Sequence, residues 1–261
     1  MKRDVIIQAR LGSVRLPKKV LFPLEGQTIL AHVIKRALRI PGVNDVCVAI
    51  PDDPAQQPIA DEAERAGAVV FKGSEDDVLG RYYFAAKELK SDVVTRITAD
   101  CPLFDPTTSG AIIALLDHTG ADYACNNMPL TWPHGTETET FTFEALKTCQ
   151  DRAQTAFERE HVTVLMRYDE DVHRVNLLSD TPSWINLRWT LDYPEDYTFL
   201  KEVFQLAGPN GPASLEETTA LLAKHPEITA INAHHGHYEA EEPEVTGYRV
   251  VATAPFQFEQ V

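Results

Sequence analysis

The chain has 261 residues, 44% of them hydrophobic and 24% charged, the balance of a globular protein with a full core. The 39 acidic against 24 basic side chains give a formal net charge of −15, which argues against broad contact with nucleic-acid phosphates. The N-terminal apolar run is too short for a signal-peptide core, no later run would span a bilayer, and Cys47, Cys101, Cys125 and Cys149 form no CxxC pair. The expectation is a cytoplasmic protein with no membrane contact.

Asp4–Ala9 reads as a buried strand, followed by a polar loop and a helix over Thr28–Arg39, where Ile29, Leu30, Val33, Ile34, Ala37 and Leu38 recur at helical spacing. The alternation continues with a strand at Asp45–Ile50, a helix at Ala55–Ala66, a strand at Ala68–Phe71, a helix at Asp77–Leu89, a strand at Asp92–Ile97 and a helix at Thr107–His118. Such a rhythm predicts an α/β fold, a mostly parallel sheet with helices on both faces. It loosens at Ala121–Cys125, and the alternating segment Thr138–Phe143 predicts a small antiparallel insertion. Helical patterns return at Glu144–Ala153 and Ala156–Tyr168, strand-like runs at His173–Leu178 and Leu187–Leu191, and a helix at Glu195–Leu206. Gly208–Pro212 is a breaker, and Ser214 can cap a further helix. One domain over residues 1–232 is expected, with 233–261 as a peripheral tail in which His234, His235 and His237 read as solvated.

Three segments carry chemistry, and each follows an apolar strand. Gln8–Lys19 crowds Arg10, Arg15, Lys18 and Lys19 beside Gly12 and Ser13, which suits a triphosphate: backbone amides at Gly12 and Ser13 can form an anion nest, and the cations neutralise phosphate charge. It is not a Walker loop, and a basic loop read alone is more often a solvated surface. Arg96–Leu103 places Asp100 just past a strand, and Leu191–Asp196 places Asp192 past another, with Pro194 opening a helix. Ligands of open parallel sheets bind along that edge, so two carboxylates there could hold magnesium; Asp192 could instead cap the helix.

Gln8–Lys19 resembles the ARxGSxRLPxK loop of the CMP-sugar synthetases, the cytidylyltransferases that activate acylneuraminate, pseudaminate and 3-deoxy-octulosonate sugars. Gly73–Leu79, Arg96–Leu103, Glu158–Thr163 and Leu191–Asp196 resemble segments of the spore-coat polysaccharide branch, so the likeness spans about Asp4 to Leu206. It implies a Rossmann-like nucleotide-diphospho-sugar transferase fold, CTP as donor, an acidic sugar or related small acceptor, Mg2+ as cofactor, pyrophosphate as product and a homodimer. Carried onto this sequence, it implies catalytic roles for Arg10, Lys19, Asp100 and Asp192, with Asp100 and Asp192 at the metal. Nucleotide contacts would come from Ala9, Arg10, Gly12, Ser13, Arg15, Lys19, Ser74, Arg81, Thr98, Ala99 and Asp100. Acceptor contacts would come from His134, Glu137, Glu139 and His161, the last of which reads equally well as a core histidine.

Lys18 stands where the family usually has glycine, Gly80 where an acidic residue commonly precedes Arg81, and Trp132–Glu139 replaces a stretch resembling YPDGLDVEV. The acceptor therefore stays open, with a phosphonate or phosphate as the alternative. Transfer of another nucleotide to a sugar 1-phosphate is disfavoured by the loop spacing together with Asp192. A nucleotide-binding protein without turnover is disfavoured by the joint presence of Arg10, Lys19, Asp100 and Asp192.

Overall fold

The computed structural model describes residues 1–13, 15–236, 245–253 and 255–261. Its first half follows the expected alternation: β1 (Arg3–Gln8), a two-strand ribbon of β2 (Pro23–Leu24) and β3 (Gln27–Thr28), α1 (Ile29–Ala37), β4 (Asp45–Pro51), α2 (Gln57–Arg65), β5 (Val69–Gly73), α3 (Val78–Leu89), β6 (Val93–Thr98) and α4 (Pro106–Thr119). Side-chain caps set the helix starts, because they satisfy amide groups that the first turn leaves unbonded: Thr28 accepts from Ala31, Asp77 from Gly80 and Asp105 from Thr108.

Residues of β1 and β4 alternate between two cores, as a period of two requires. Val5, Ile7, Val46, Val48 and Ile50 pack with α1 and α2, while Ile6, Cys47 and Ala49 pack with α3 and, farther along the sheet, Tyr123 and Phe141. Both faces are thus covered, the condition under which parallel strands are stable.

In the second half, β7 (Tyr123–Cys125), β8 (Glu139–Thr142), α5 (Phe143–Arg152), α6 (Ala156–His161), α7 (Val164–Tyr168) and β9 (Arg174–Leu177) lead into α8 (Pro194–Ala207), α9 (Leu215–Lys224), α10 (Pro226–Thr229), β10 (Thr246–Thr253) and β11 (Phe256–Gln260). The large sheet runs β11-β10-β9-β7-β8-β6-β1-β4-β5. β8 pairs antiparallel with both β6 and β7, which is the predicted insertion. No helix among the described residues is long and apolar enough to cross a membrane.

Three local differences from the sequence reading have physical causes. The single helix expected over Ala156–Tyr168 breaks at Val162, whose φ of 56° ends α6, and the next residue, Thr163, turns its hydroxyl inward to donate to Glu139. Leu187–Leu191 forms no strand of the sheet: one bridge links Arg188 to His134, the Leu191 N–H donates to the Asp100 carbonyl at 3.0 Å, and Trp189 and Leu191 fill the core beneath α8. The tail is not peripheral: β10 pairs parallel with β9, β11 pairs antiparallel with β10, and Phe256 and Phe258 pack against the α4 core.

Candidate active site

The sheet order reverses at β1: the chain moves outward through β4 to β5, then returns to lay β6 on the other side of β1. Such a switch point leaves a crevice at the strand carboxyl ends, because the two crossovers leave in opposite directions. β1 and β6 are parallel and in register, Gln8 opposite Thr98, so Ala9-Arg10 and Ala99-Asp100 emerge side by side. The crevice there is a cleft of about 340 Å³.

Lys19 is its centre. Burial of Val20 with the α1 core and packing of Leu16 and Phe22 against the α8 core draw the loop down between two layers. The Lys19 ammonium, almost buried, donates to Asp100 Oδ2 at 2.5 Å, Asp192 Oδ1 at 2.9 Å and the Leu191 carbonyl at 2.7 Å. Burial alone would lower the Lys19 pKa, but Asp100 and Asp192 outweigh it and raise it. Burial likewise pushes the Asp192 carboxyl up, and Lys19 and Arg15 overcome this and bring it down to about 2. Arg15 reaches Asp192 at 3.0 Å.

Asp192 is free for this role because it does not cap α8. The buried Asp196 does, accepting from the backbone N–H groups of Asp192 at 2.8 Å and Tyr193 at 2.9 Å, and from Arg188 through two bonds of 2.9 Å. Asp196 was not singled out from sequence; an acidic residue in the first turn after Pro194 was the available signal.

Of the expected nucleotide residues, Ala9, Arg10, Ser13, Arg15, Lys19, Arg81, Thr98, Ala99 and Asp100 line the cleft. Gly12 and Ser74 do not, and the Ser13 N–H is bonded to the Leu11 carbonyl at 3.0 Å, so it is not free for an anion nest. Ser74 lies in an adjoining hollow with Asp52 and Asp53, where its carbonyl accepts from Arg81 at 2.5 Å. Gly80 has a local cause: a Cβ there would sit 2.4 Å from the Asp77 carboxylate that caps α3.

The acceptor set divides. His161 is exposed, lines the cleft beside Glu160 and lies tilted against Phe157 with centroids 4.4 Å apart, so it is not a core histidine. Glu139 lies beneath the cleft instead of facing it. It pairs with Arg96 and with Arg167 at 3.5 Å, and accepts from Tyr123 at 2.5 Å and Thr163 at 2.8 Å. Burial pushes its carboxyl up, but Arg96 and Arg167 prevail and hold it at about 2. His134 and Glu137 pair with each other at 2.7 Å outside the cleft lining. Burial lowers the His134 pKa, and Glu137 more than offsets this, leaving it raised. Gly135 between them has φ of 100°, and a Cβ would meet the Thr190 nitrogen at 2.5 Å, so this turn lies hard against the Leu187–Leu191 segment. Gln8, Arg96 and Glu160 line the cleft without having been expected there; only their closeness to the Arg10, Thr98 and His161 motifs could have pointed to them.

A cation-rich cleft at a switch point, with two carboxylates meeting on one ammonium, is an arrangement for phosphoryl chemistry. The cytidylyltransferase family model matches residues 5–207. The chain belongs to the cytidylyltransferase family. Over 235 residues it is 31% identical to the spore coat polysaccharide biosynthesis protein SpsF of Bacillus subtilis, covering 85% of this chain and 94% of that protein. A 3-deoxy-manno-octulosonate cytidylyltransferase of Anaeromyxobacter sp. is 37% identical over 129 residues, covering 48% of this chain and 51% of that enzyme. A cytidylyltransferase structure from Leptospira borgpetersenii superimposes with a TM-score of 0.84 at 27% identity, covering 92% of this chain and all of that one. This cytidylyltransferase is therefore a nucleotidyl-transfer enzyme with CTP as its donor and a Rossmann-like fold.

Proposed function

We propose that the enzyme transfers CMP from CTP to a hydroxyl of an acidic sugar, with Arg10, Arg15 and Lys19 holding the triphosphate and Asp100 and Asp192 holding Mg2+. The acceptor oxygen attacks the α-phosphorus, the new O–P bond forms as the bond to the β-phosphate oxygen breaks, and the electron pair leaves with pyrophosphate. The hydroxyl proton passes to solvent or to Glu160, a carboxylate lining the cleft. Catalysis is then chiefly positioning and neutralisation of charge.

The observation that carries this reading is the convergence of Asp100 and Asp192 on the Lys19 ammonium. Two hard oxygen donors already meet there on one positive charge, a donor set that suits Mg2+. Bound there, the ion would neutralise phosphate charge and orient the triphosphate. The Arg81 Nε–H is buried with no partner among the described residues, which supports a ligand acceptor atom near it. The acidic-sugar acceptor is supported by the octulosonate and spore-coat relatives and by the exposed His161. A homodimer fits the exposed Phe84 and Phe157 on the neighbouring helices α3 and α6, and a cytoplasmic setting fits four free, buried cysteines.

Pyrophosphate release from CTP over a panel of 2-keto acid sugars, neutral sugars and phosphonates tests the reading. Release with acidic sugars is expected, and release only with phosphonates would replace the acceptor class. A monomer by light scattering would remove the dimer.

A further inference from the structure

Outside the cleft, three metal-ligand side chains meet at the first turn of α8. Glu195 lies in that turn, and His234 and His235 follow α10; one carboxylate oxygen and two imidazole nitrogens fall within 4.8 Å of one another. His235 Nε2 is 3.3 Å from Glu195 Oε2. A tetrahedral zinc ion with bonds of about 2.0–2.1 Å spaces its donors about 3.3 Å apart, so this pair already has the required separation.

His235 and the backbone that leads to it are held in place by packing. The His235 ring lies flat on Tyr193, with centroids 4.0 Å apart and planes 6° from parallel, and His234 packs beside it at 4.1 Å. Just before them, buried Asn232 donates to Asp196 Oδ1 at 2.9 Å and to the Arg188 carbonyl at 3.0 Å, which pins the backbone against α8. Side chains positioned before binding lose little freedom when a ligand arrives.

We propose that Glu195, His234 and His235 form a site for a borderline divalent cation of the zinc class, separate from the oxygen-only pair Asp100 and Asp192. Two imidazoles and one carboxylate favour such an ion over magnesium, and three protein donors leave the remaining position to water. The ion ties the segment after α10 to α8 and fixes Tyr193. Arg15 lies over that ring at 5.1 Å while reaching Asp192, so the site is linked to a cleft arginine through Tyr193.

Titration calorimetry of the full chain with Zn2+ in saturating Mg2+ tests the site without measuring turnover. One Zn2+ per chain is expected, with affinity falling about tenfold or more in His234→Ala and in Glu195→Gln. Neither substitution removes the His235 stack on Tyr193, and circular dichroism checks the fold. His225→Ala, which alters a separate exposed His–Glu pair, is expected to bind as the parent does. In the Co2+-loaded protein, intense visible d–d bands are expected and should be lost in His234→Ala. Absence of Zn2+ binding, or binding unchanged by both His234→Ala and Glu195→Gln, overturns the proposal.

Discussion

Asp192 and Glu139 are both carboxylates held at about 2 by paired cations, yet they sit in opposite kinds of place. Asp192 stands past the end of the Leu187–Leu191 segment at the cleft, with partners on a loop that a nucleotide can engage. Glu139 lies within β8, directly across the ladder from Arg96 of β6, and its other partners come from α7, β7 and the break after α6. The same pairing of carboxylate and cation thus stands at an open cleft in one region, where we propose that it binds the nucleotide, and inside the scaffold in the other. Where the counter-charge comes from decides which.

The largest effect that would sharpen this contrast is on turnover. Asp100→Asn should lower it by orders of magnitude with little change in thermal stability, since an amide cannot replace an anionic oxygen at a hard cation. Near-normal turnover at saturating Mg2+ would take Asp100 out of the site. Glu139→Ala should instead lower unfolding free energy, by up to about 3–5 kcal/mol, because it removes the buried carboxylate on which the part-buried Arg96 and Arg167 pair, and this can be read from urea unfolding. A Glu139→Ala variant of parental stability but lost activity would move Glu139 from the scaffold to the chemistry.

Lys19→Ala should weaken CTP binding more than Lys18→Ala. Lys18 is exposed with φ of 61°, whereas Lys19 is drawn inward onto both aspartates. Equal losses would mean that general positive charge explains the loop. A smaller effect concerns acid. Both folded pKa values lie below the ordinary 3.8 and 4.5, so the stability these carboxylates contribute is present above about 4.5 and lost as pH falls toward about 2. Glu139→Gln should flatten the stability curve in that window, and an unchanged slope in acid unfolding would contradict the pairing.

The residues proposed to hold the nucleotide stand out because their motifs are local in sequence: Arg10 and Asp100 follow β1 and β6 by two positions, Asp192 follows the Leu187–Leu191 segment directly, and Lys19 closes the basic loop that Arg10 opens. Glu139 was misread as acceptor-facing because its fate depends on the β6–β8 register, which places it opposite Arg96 and which no local pattern reveals. The helix over Ala156–Tyr168 failed for a related reason: periodicity continues through Val162, but the buried bond from Thr163 to Glu139 accompanies the break. In β10 the burial pattern alternates only between exposed and partly buried positions after Gly247, so its periodic signal is faint. Its valines and tyrosine were the remaining cue.

The most direct test of the cleft as the CTP site is calorimetric binding of CTP, UTP, ATP and GTP to the enzyme with Mg2+. A pocket built for the cytosine edge leaves buried groups unpaired with other bases, at ~1–3 kcal/mol for each group. The expected order is CTP first, UTP weaker by about tenfold or more, and purines weakest, with CTP affinity reduced in Lys19→Ala. ATP or GTP binding as tightly as CTP, or CTP binding indifferent to Lys19, would contradict the account.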